Sequence, residues 1–400
     1  MGGRERMRQM GEPRAARAEV FPGTRERWAT SVDARALVLV SATLLSFGLA
    51  VLYSASSIEA LRSGQSASAF LTRQLVGALV GIVAFMIVAK IDAERWRAWA
   101  WPLMGISLVL MTAVLFTPPV NHSRRFLLGG SLQPSEIAKL AIVAWTAMLV
   151  VKKGPSLRRL TKGLLPFLLV IGLLDGLAIL EPDLSVAMMY TLVAGIVLFA
   201  GGVRVGHFVL LGILAIPLLW NQMERVGYAA LRLFSFLGVG DTPESMTYQL
   251  TQSLIAVGSG GLFGKGFGEG RQQLGFVPLQ YNDFIASNVG EEMGFLGMAF
   301  LVIAFAAYGW LGFRIARAAR SPFQQLLAVG LTVTVVITAY LHIGVVIGML
   351  PTTGLTLPFV SYGRSNLVLT CLMTGILVNI ASRRERVPDQ SGRELSLASP

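Results

Sequence analysis

Hydrophobic positions in this chain fall in long uninterrupted runs, not in the period-two or period-3.6 rhythm of a half-buried strand or a surface helix. Bounded by charge, proline or glycine, about ten runs approach the roughly 20 residues that a helix needs to cross a hydrocarbon core. They lie at approximately 36–57, 74–90, 98–117, 134–151, 163–180, 184–202, 205–221, 291–313, 325–350 and 365–382. Helices are the fitting element because lipid offers backbone amides no partner, and no ten-residue alternation suggests a barrel. The pattern predicts an all-α polytopic membrane protein of about ten transmembrane helices. A large extracytoplasmic loop, 222–290, separates the seventh from the eighth.

Composition agrees. Over 400 residues, 54% are hydrophobic and 14% charged, where soluble chains carry about 25% charge. Disorder, collagen and a disulfide scaffold are excluded by the same figures and by Cys371 being alone. The formal charge of +12 changes the picture only through its distribution. Ten spans put both termini on one side, and the segments on that side hold 24 Lys and Arg against 9 on the other. Positive charge stays inside, so both termini are expected in the cytoplasm and nucleic acid is not an expected partner. Residues 1–35 read as a disordered basic tail without a signal-peptide core, 36–383 as the membrane domain and 384–400 as a short cytoplasmic tail.

The loops opposite the termini carry the polar motifs. Gly258-Ser-Gly-Gly-Leu-Phe-Gly-Lys-Gly-Phe-Gly-Glu-Gly270 suggests a nucleotide loop, but neither the Walker A nor the Rossmann spacing fits. What remains is a backbone able to turn tightly and aim amides at an anion, beside Lys265 and Arg271, or a plain spacer between two helices. Asp283 stands alone among aromatic and apolar residues, where a desolvated carboxylate suits a general base; its simpler role is to cap the eighth span. Asn121-His-Ser-Arg-Arg-Phe126 precedes Gln133-Pro-Ser-Glu136, and Glu136 and Lys139 share a helix face just inside the bilayer. Glu181-Pro-Asp183 forms a turn between spans, a place where acidic pairs are more often solvated than catalytic. Three His and one Cys leave no structural zinc site.

In this order the segments resemble the SEDS family (shape, elongation, division and sporulation proteins of FtsW, RodA and SpoVE types) over nearly all of 36–383. The resemblance is carried by Tyr53-Ser-Ala-Ser56, Phe70-Leu-Thr-Arg-Gln74, Ile91-Asp92 with Arg95-Trp96, Gln133-Pro-Ser-Glu136 with Lys139, and Pro182-Asp183-Leu184. Further along it continues through Tyr248-Gln-Leu-Thr-Gln-Ser253, Gly258-Ser-Gly-Gly261, Asp283-Phe-Ile285, Gly290-Glu-Glu292 and the stretch from Leu350 to Gly363. Gly354-Leu-Thr-Leu-Pro358 and the Gly-Ser-Gly-Gly loop look more like the division branch. Departures occur at Leu279-Gln-Tyr-Asn282, at Phe126, and at Arg364 and Asn366.

The resemblance implies polymerisation of lipid II into β-1,4 glycan strands for septal wall synthesis in the bacterial cytoplasmic membrane. The implied partners are undecaprenyl-pyrophosphate-linked glycan, a class B penicillin-binding protein and other division proteins. Alternatives are a RodA-type elongation polymerase, a lipid II flippase and a non-catalytic division scaffold. Asp283 takes the place of the family's essential aspartate. Arg124, Arg125, Lys265, Arg271 and Arg364 become candidates to hold phosphate, with Gln133, Glu136, Lys139 and Asp183 as further substrate-binding candidates. No cofactor is fixed by the sequence; Asp183 and Asp283 are the candidate ligands should a divalent cation, Mg2+ or Mn2+, be used.

The topology has a direct check. In a Cys371→Ser background, a cysteine introduced at position 265 is expected to react with an impermeant thiol reagent in intact cells, and one at 156 is not. Labelling at 156 alone would invert the topology.

Overall fold

The computed structural model describes residues 24–29, 31–118, 124–127, 132–210, 212–213, 236, 244–271, 274–275 and 280–388. Among the described residues, seven helices are long and apolar enough to cross a membrane. They are α1 (Val32–Arg62), α2 (Ala69–Val88), α3 (Arg95–Val114), α4 (Pro134–Lys153), α9 (Ile285–Arg317), α10 (Pro322–Val346) and α11 (Arg364–Ala381). Two shorter apolar helices, α5 (Leu165–Leu180) and α6 (Leu184–Ala200), complete the nine expected spans that fall within the described residues. The expected seventh span is helical at 205–210 and 212–213, and the rest of it lies outside the described residues, as do 1–23, 389–400 and most of 214–243. Two further helices, α7 (Glu244–Gly260) and α8 (Gln280–Asp283), belong to the long loop.

The helix starts are written locally. Ser31 caps α1 by accepting from Ala34 N–H at 3.1 Å, and Ser321 with Pro322 behind it opens α10. Pro134 opens α4. That helix is the centre of the bundle, buried at every position from Pro134 to Val150 except Ile137. Its burial encloses one ion pair, Lys139 Nζ to Glu136 Oε1 at 2.7 Å. Helix α11 lies against α2 along a seam of small residues: Cβ atoms on Gly77 and Gly81 would come within 3.0 Å of Arg364 and 3.1 Å of Cys371. Such a seam lets two spanning helices approach closely where lipid supplies no hydrophobic drive.

The expected eighth span begins earlier and is not continuous. Helix α9 breaks at Gly294, whose φ of 63° and ψ of −154° are outside helical space. The break strips the helical partners from neighbouring backbone groups, and the glycine-rich loop replaces them. Lys265 and Gly266 donate their amides to the carbonyls of Glu291 and Glu292, each at 3.0 Å, and Phe295 donates to Gly261 at 2.8 Å. The loop approaches so closely that a Cβ on Gly264 would lie 2.1 Å from the Glu292 carbonyl. Its glycines therefore serve a backbone crossing, and the amides of Lys265 and Gly266 are spent on α9, not aimed at an anion.

Residues 24–29 and 383–388 form a separate two-stranded antiparallel sheet, with Thr24 opposite Pro388 and Ala29 opposite Arg383.

Two stability outcomes are expected. Gly294→Ala places a side chain in a left-handed conformation, 2.4 Å from the Gly264 nitrogen, and should cost at least about 1–3 kcal/mol in denaturant unfolding of the detergent-solubilised protein. Lys139→Met strands the buried Glu136 charge and should cost about 3–5 kcal/mol, most of it recovered when Glu136→Leu is added. A Lys139→Met protein that unfolds like wild type would mean that the pair contributes nothing.

Candidate active site

The irregular segment between α10 and α11, residues 347–363, gathers the polar motifs at one end of the bundle. Ser361 is its pivot: the hydroxyl donates to the Asn282 carbonyl at 2.7 Å and accepts from Leu357 N–H at 2.8 Å. Tyr362 N–H donates to the Tyr281 carbonyl at 3.0 Å. Gln74 of α2 completes the frame, donating to the Ser361 carbonyl at 3.1 Å and accepting from Gly363 N–H at 3.2 Å. Phe70, Tyr281 and Tyr362 pack ring against ring around these bonds, with centroids 4.7–5.8 Å apart. Burial raises the Tyr281 phenol above its ordinary range.

This frame fixes the four-residue helix α8 and with it Asp283, which is half-buried. Asp283 Oδ2 lies 3.8 Å from where a Cβ would stand on Gly354, whose φ of 72° favours glycine, so the carboxylate packs beside the turn of the irregular segment. Asp283 is not the cap of α9. Phe284 occupies that position without a side-chain cap bond.

On the other flank of the same segment, Ser185 of α6 donates to the Thr353 carbonyl at 2.5 Å. The Glu181-Pro182-Asp183 turn precedes it. Asp183 caps α6, accepting from Val186 N–H at 3.2 Å. Arg125 reaches across to this turn: Nη1 pairs with Asp183 Oδ2 at 3.2 Å, and the guanidinium donates to the carbonyls of Glu181 at 3.3 Å and Pro182 at 2.5 Å. Two separate polar clusters of the sequence are thus one cluster in space. The turn expected to be solvated is buried, Glu181 at 0% and Asp183 at 7% exposure. Burial pushes the Glu181 carboxyl up to about 8, Asp183 adding to the rise and Arg125 opposing it. Burial likewise raises Asp183, against the pull of Arg125 and its capping bond.

The remaining candidates divide. Lys139 and Glu136 sit close enough to Asp183 to act on it electrostatically. Gln133 N–H donates to Ser365 Oγ at 3.1 Å, tying the start of α4 to the start of α11 beside Arg364. Arg124 instead turns back and donates to the Leu115 carbonyl at 2.7 Å, satisfying the end of α3. Lys265 and Arg271 are drawn to a different acid, Glu291, whose Oε1 accepts from Lys265 Nζ at 3.1 Å and from Arg271 N–H at 2.9 Å. Glu292 accepts from Ser54 of α1 at 2.5 Å. Sequence reasoning missed Ser361, Gln74 and Glu291 as organising residues, although each lies in a motif quoted for the resemblance.

The donor set does not favour a metal. Among the described residues no three His, Cys, Asp or Glu side chains converge, and both Asp183 oxygens are engaged, by Arg125 and by Val186.

The fold and the motifs have known counterparts. A family model described as cell cycle protein, covering FtsW, RodA and SpoVE, matches residues 35–386. A protein of Trichlorobacter lovleyi named "Probable peptidoglycan glycosyltransferase FtsW" is 38% identical over 88% of this chain and 94% of its own. Stage V sporulation protein E of Bacillus subtilis is 34% identical over 86% of this chain and 96% of its own. The rod shape determining protein RodA of Thermus thermophilus is 27% identical, with a TM-score of 0.64, 86% of this chain and 95% of that one being covered. A chain from a peptidoglycan synthase complex that coordinates polymerization and crosslinking is 25% identical, with a TM-score of 0.71 and coverage of 88% and 98%. A match across 35–386, with relatives covered almost end to end, makes this chain a member of the FtsW/RodA/SpoVE family of cell cycle proteins.

Proposed function

We propose that this protein is an inverting peptidoglycan glycosyltransferase that polymerises lipid II during cell division. The observation that carries the reading is the placement of Asp283, half-buried and held by the Ser361–Gln74 frame beside Gly354 of the irregular segment. The names borne by the relatives support the reaction class and favour the division branch over elongation.

The chemistry needs few groups. Lipid II holds its sugar to pyrophosphate through an α bond, and the glycan product is β-linked, so a single displacement accounts for inversion. The acceptor hydroxyl oxygen forms a bond to the sugar's anomeric carbon as the carbon–oxygen bond to pyrophosphate breaks. Asp283 takes the hydroxyl proton, and undecaprenyl pyrophosphate leaves with the bonding electrons. Positive charge beside the departing group lowers the barrier only where negative charge develops. Arg125 is the best placed of the candidates for that work, because its present partners, two backbone carbonyls and one acid, are ones that a pyrophosphate can replace. Lys265, paired with Glu291, acts on the long loop instead.

The same reading places the chain in the cytoplasmic membrane at the division septum, with both termini inside and a class B penicillin-binding protein as its crosslinking partner. The structural likeness to a chain of a complex that couples polymerization to crosslinking supports the partnership.

Asp283→Asn is expected to leave the protein folded and membrane-inserted while lowering lipid II polymerisation, measured with the cognate penicillin-binding protein, by about 10²–10⁴-fold. Near wild-type polymerisation by this variant would remove Asp283 from the mechanism.

A further inference from the structure

Glu181 stands apart from the other acids of the site. Its side chain is fully buried, and neither carboxyl oxygen meets a hydrogen-bond partner among the described residues. Leaving an ionised carboxylate in that condition costs far more than leaving the protonated acid. Its surroundings are charged. Asp183 and Arg125 act on it directly from α6 and from the segment before α4. From α4, Glu136 and Lys139 act on the adjoining Asp183. Tyr190 of α6 lies within electrostatic reach of Glu181, and of Asp175 from α5.

We propose that Glu181 is a positioning residue that acts through Arg125: as a neutral acid it leaves the guanidinium available to an anionic substrate group, and on ionisation it withdraws that availability. The inference rests on the glycosyltransferase reading and extends it to how the pyrophosphate site is tuned. With Glu181 neutral, Arg125 balances Asp183 and Lys139 balances Glu136, so these four side chains carry no net charge. Loss of the Glu181 proton leaves one uncompensated negative charge and a second carboxylate competing for Arg125. Both effects oppose an incoming pyrophosphate, and both arise without any contact between Glu181 and substrate.

The sign follows from burial. With its carboxyl pushed up to about 8, Glu181 is neutral below that pH and charged above it. Affinity for a pyrophosphate lipid is therefore full on the acid side and falls as pH rises through this value. The decline approaches about tenfold per pH unit if only the neutral form binds.

The test uses purified full-length protein in lipid nanodiscs, titrated with undecaprenyl pyrophosphate across the pH range around 8, with lipid II polymerisation followed in parallel. Wild type should lose affinity on the alkaline side, and because Arg125 also bears on the departing group, kcat should fall there together with kcat/KM. Glu181→Gln, uncharged and of the same shape, should keep the wild-type affinity of the acid side and lose the alkaline limb. A Glu181→Gln profile that superimposes on wild type overturns the inference. Should that variant not be recovered folded, the wild type decides by itself, because affinity that stays flat above pH 8 overturns it equally. Wild type that polymerises lipid II at no pH fails the glycosyltransferase reading instead, whereas polymerisation with matching profiles sinks only the role of Glu181.

Discussion

Every departure from regular helix inside this bundle has to find its hydrogen bonds within the protein, because neither lipid nor a dry interior supplies them. That constraint shapes each feature of the site. The break at Gly294 releases carbonyls at Glu291 and Glu292, and the glycine-rich loop supplies the missing amides. The irregular segment 347–363 is held by Ser361, Gln74 and the backbone around Tyr281. The turn at Glu181-Pro182-Asp183 borrows the guanidinium of Arg125. Irregular backbone at such depth is otherwise confined to places that line a cavity, and here it surrounds Asp283 and Arg125.

Charge obeys the same accounting. Lys139 pairs with Glu136, Arg125 with Asp183, and Lys265 with Glu291, so three of the basic candidates meet an acid that holds them in place. Pairing of this kind keeps a cationic site tolerable in a low-dielectric interior, but it also means that an anionic substrate competes with resident carboxylates. Glu181, whose carboxyl oxygens meet no hydrogen-bond partner among the described residues, is where we propose that this balance shifts by one proton.

The two flanks of segment 347–363 divide the chemistry. One presents a carboxylate at Asp283 against Gly354, and the other presents Arg125 on the turn beside Ser185 and Thr353. In the proposed reaction these would be the base and the cation of a displacement at a sugar–pyrophosphate bond.

The spans were legible in the sequence because burial in lipid is recorded residue by residue: nine of the expected runs coincide with described helices, to within a few residues at most ends. Helix starts were legible where a proline marks them, as at Pro134, whereas the Asp183 cap of α6 was read only as part of a turn. Asp283 stood out because a lone acid among apolar residues is conspicuous locally. What the sequence could not decide is which acid each base meets. Arg125 lies 58 residues from Asp183, and Lys265 lies 26 from Glu291, separations that only packing of the spans can close. The glycine-rich loop resembled an anion cradle for the same reason: its partner is a helix break that a local reading cannot foresee, since Gly294 in an apolar run is compatible with an unbroken helix. Hydrophobic patterning thus determined the elements, and the tertiary structure decided the charge pairing, because pairing depends on distances between spans that carry no local sequence signal.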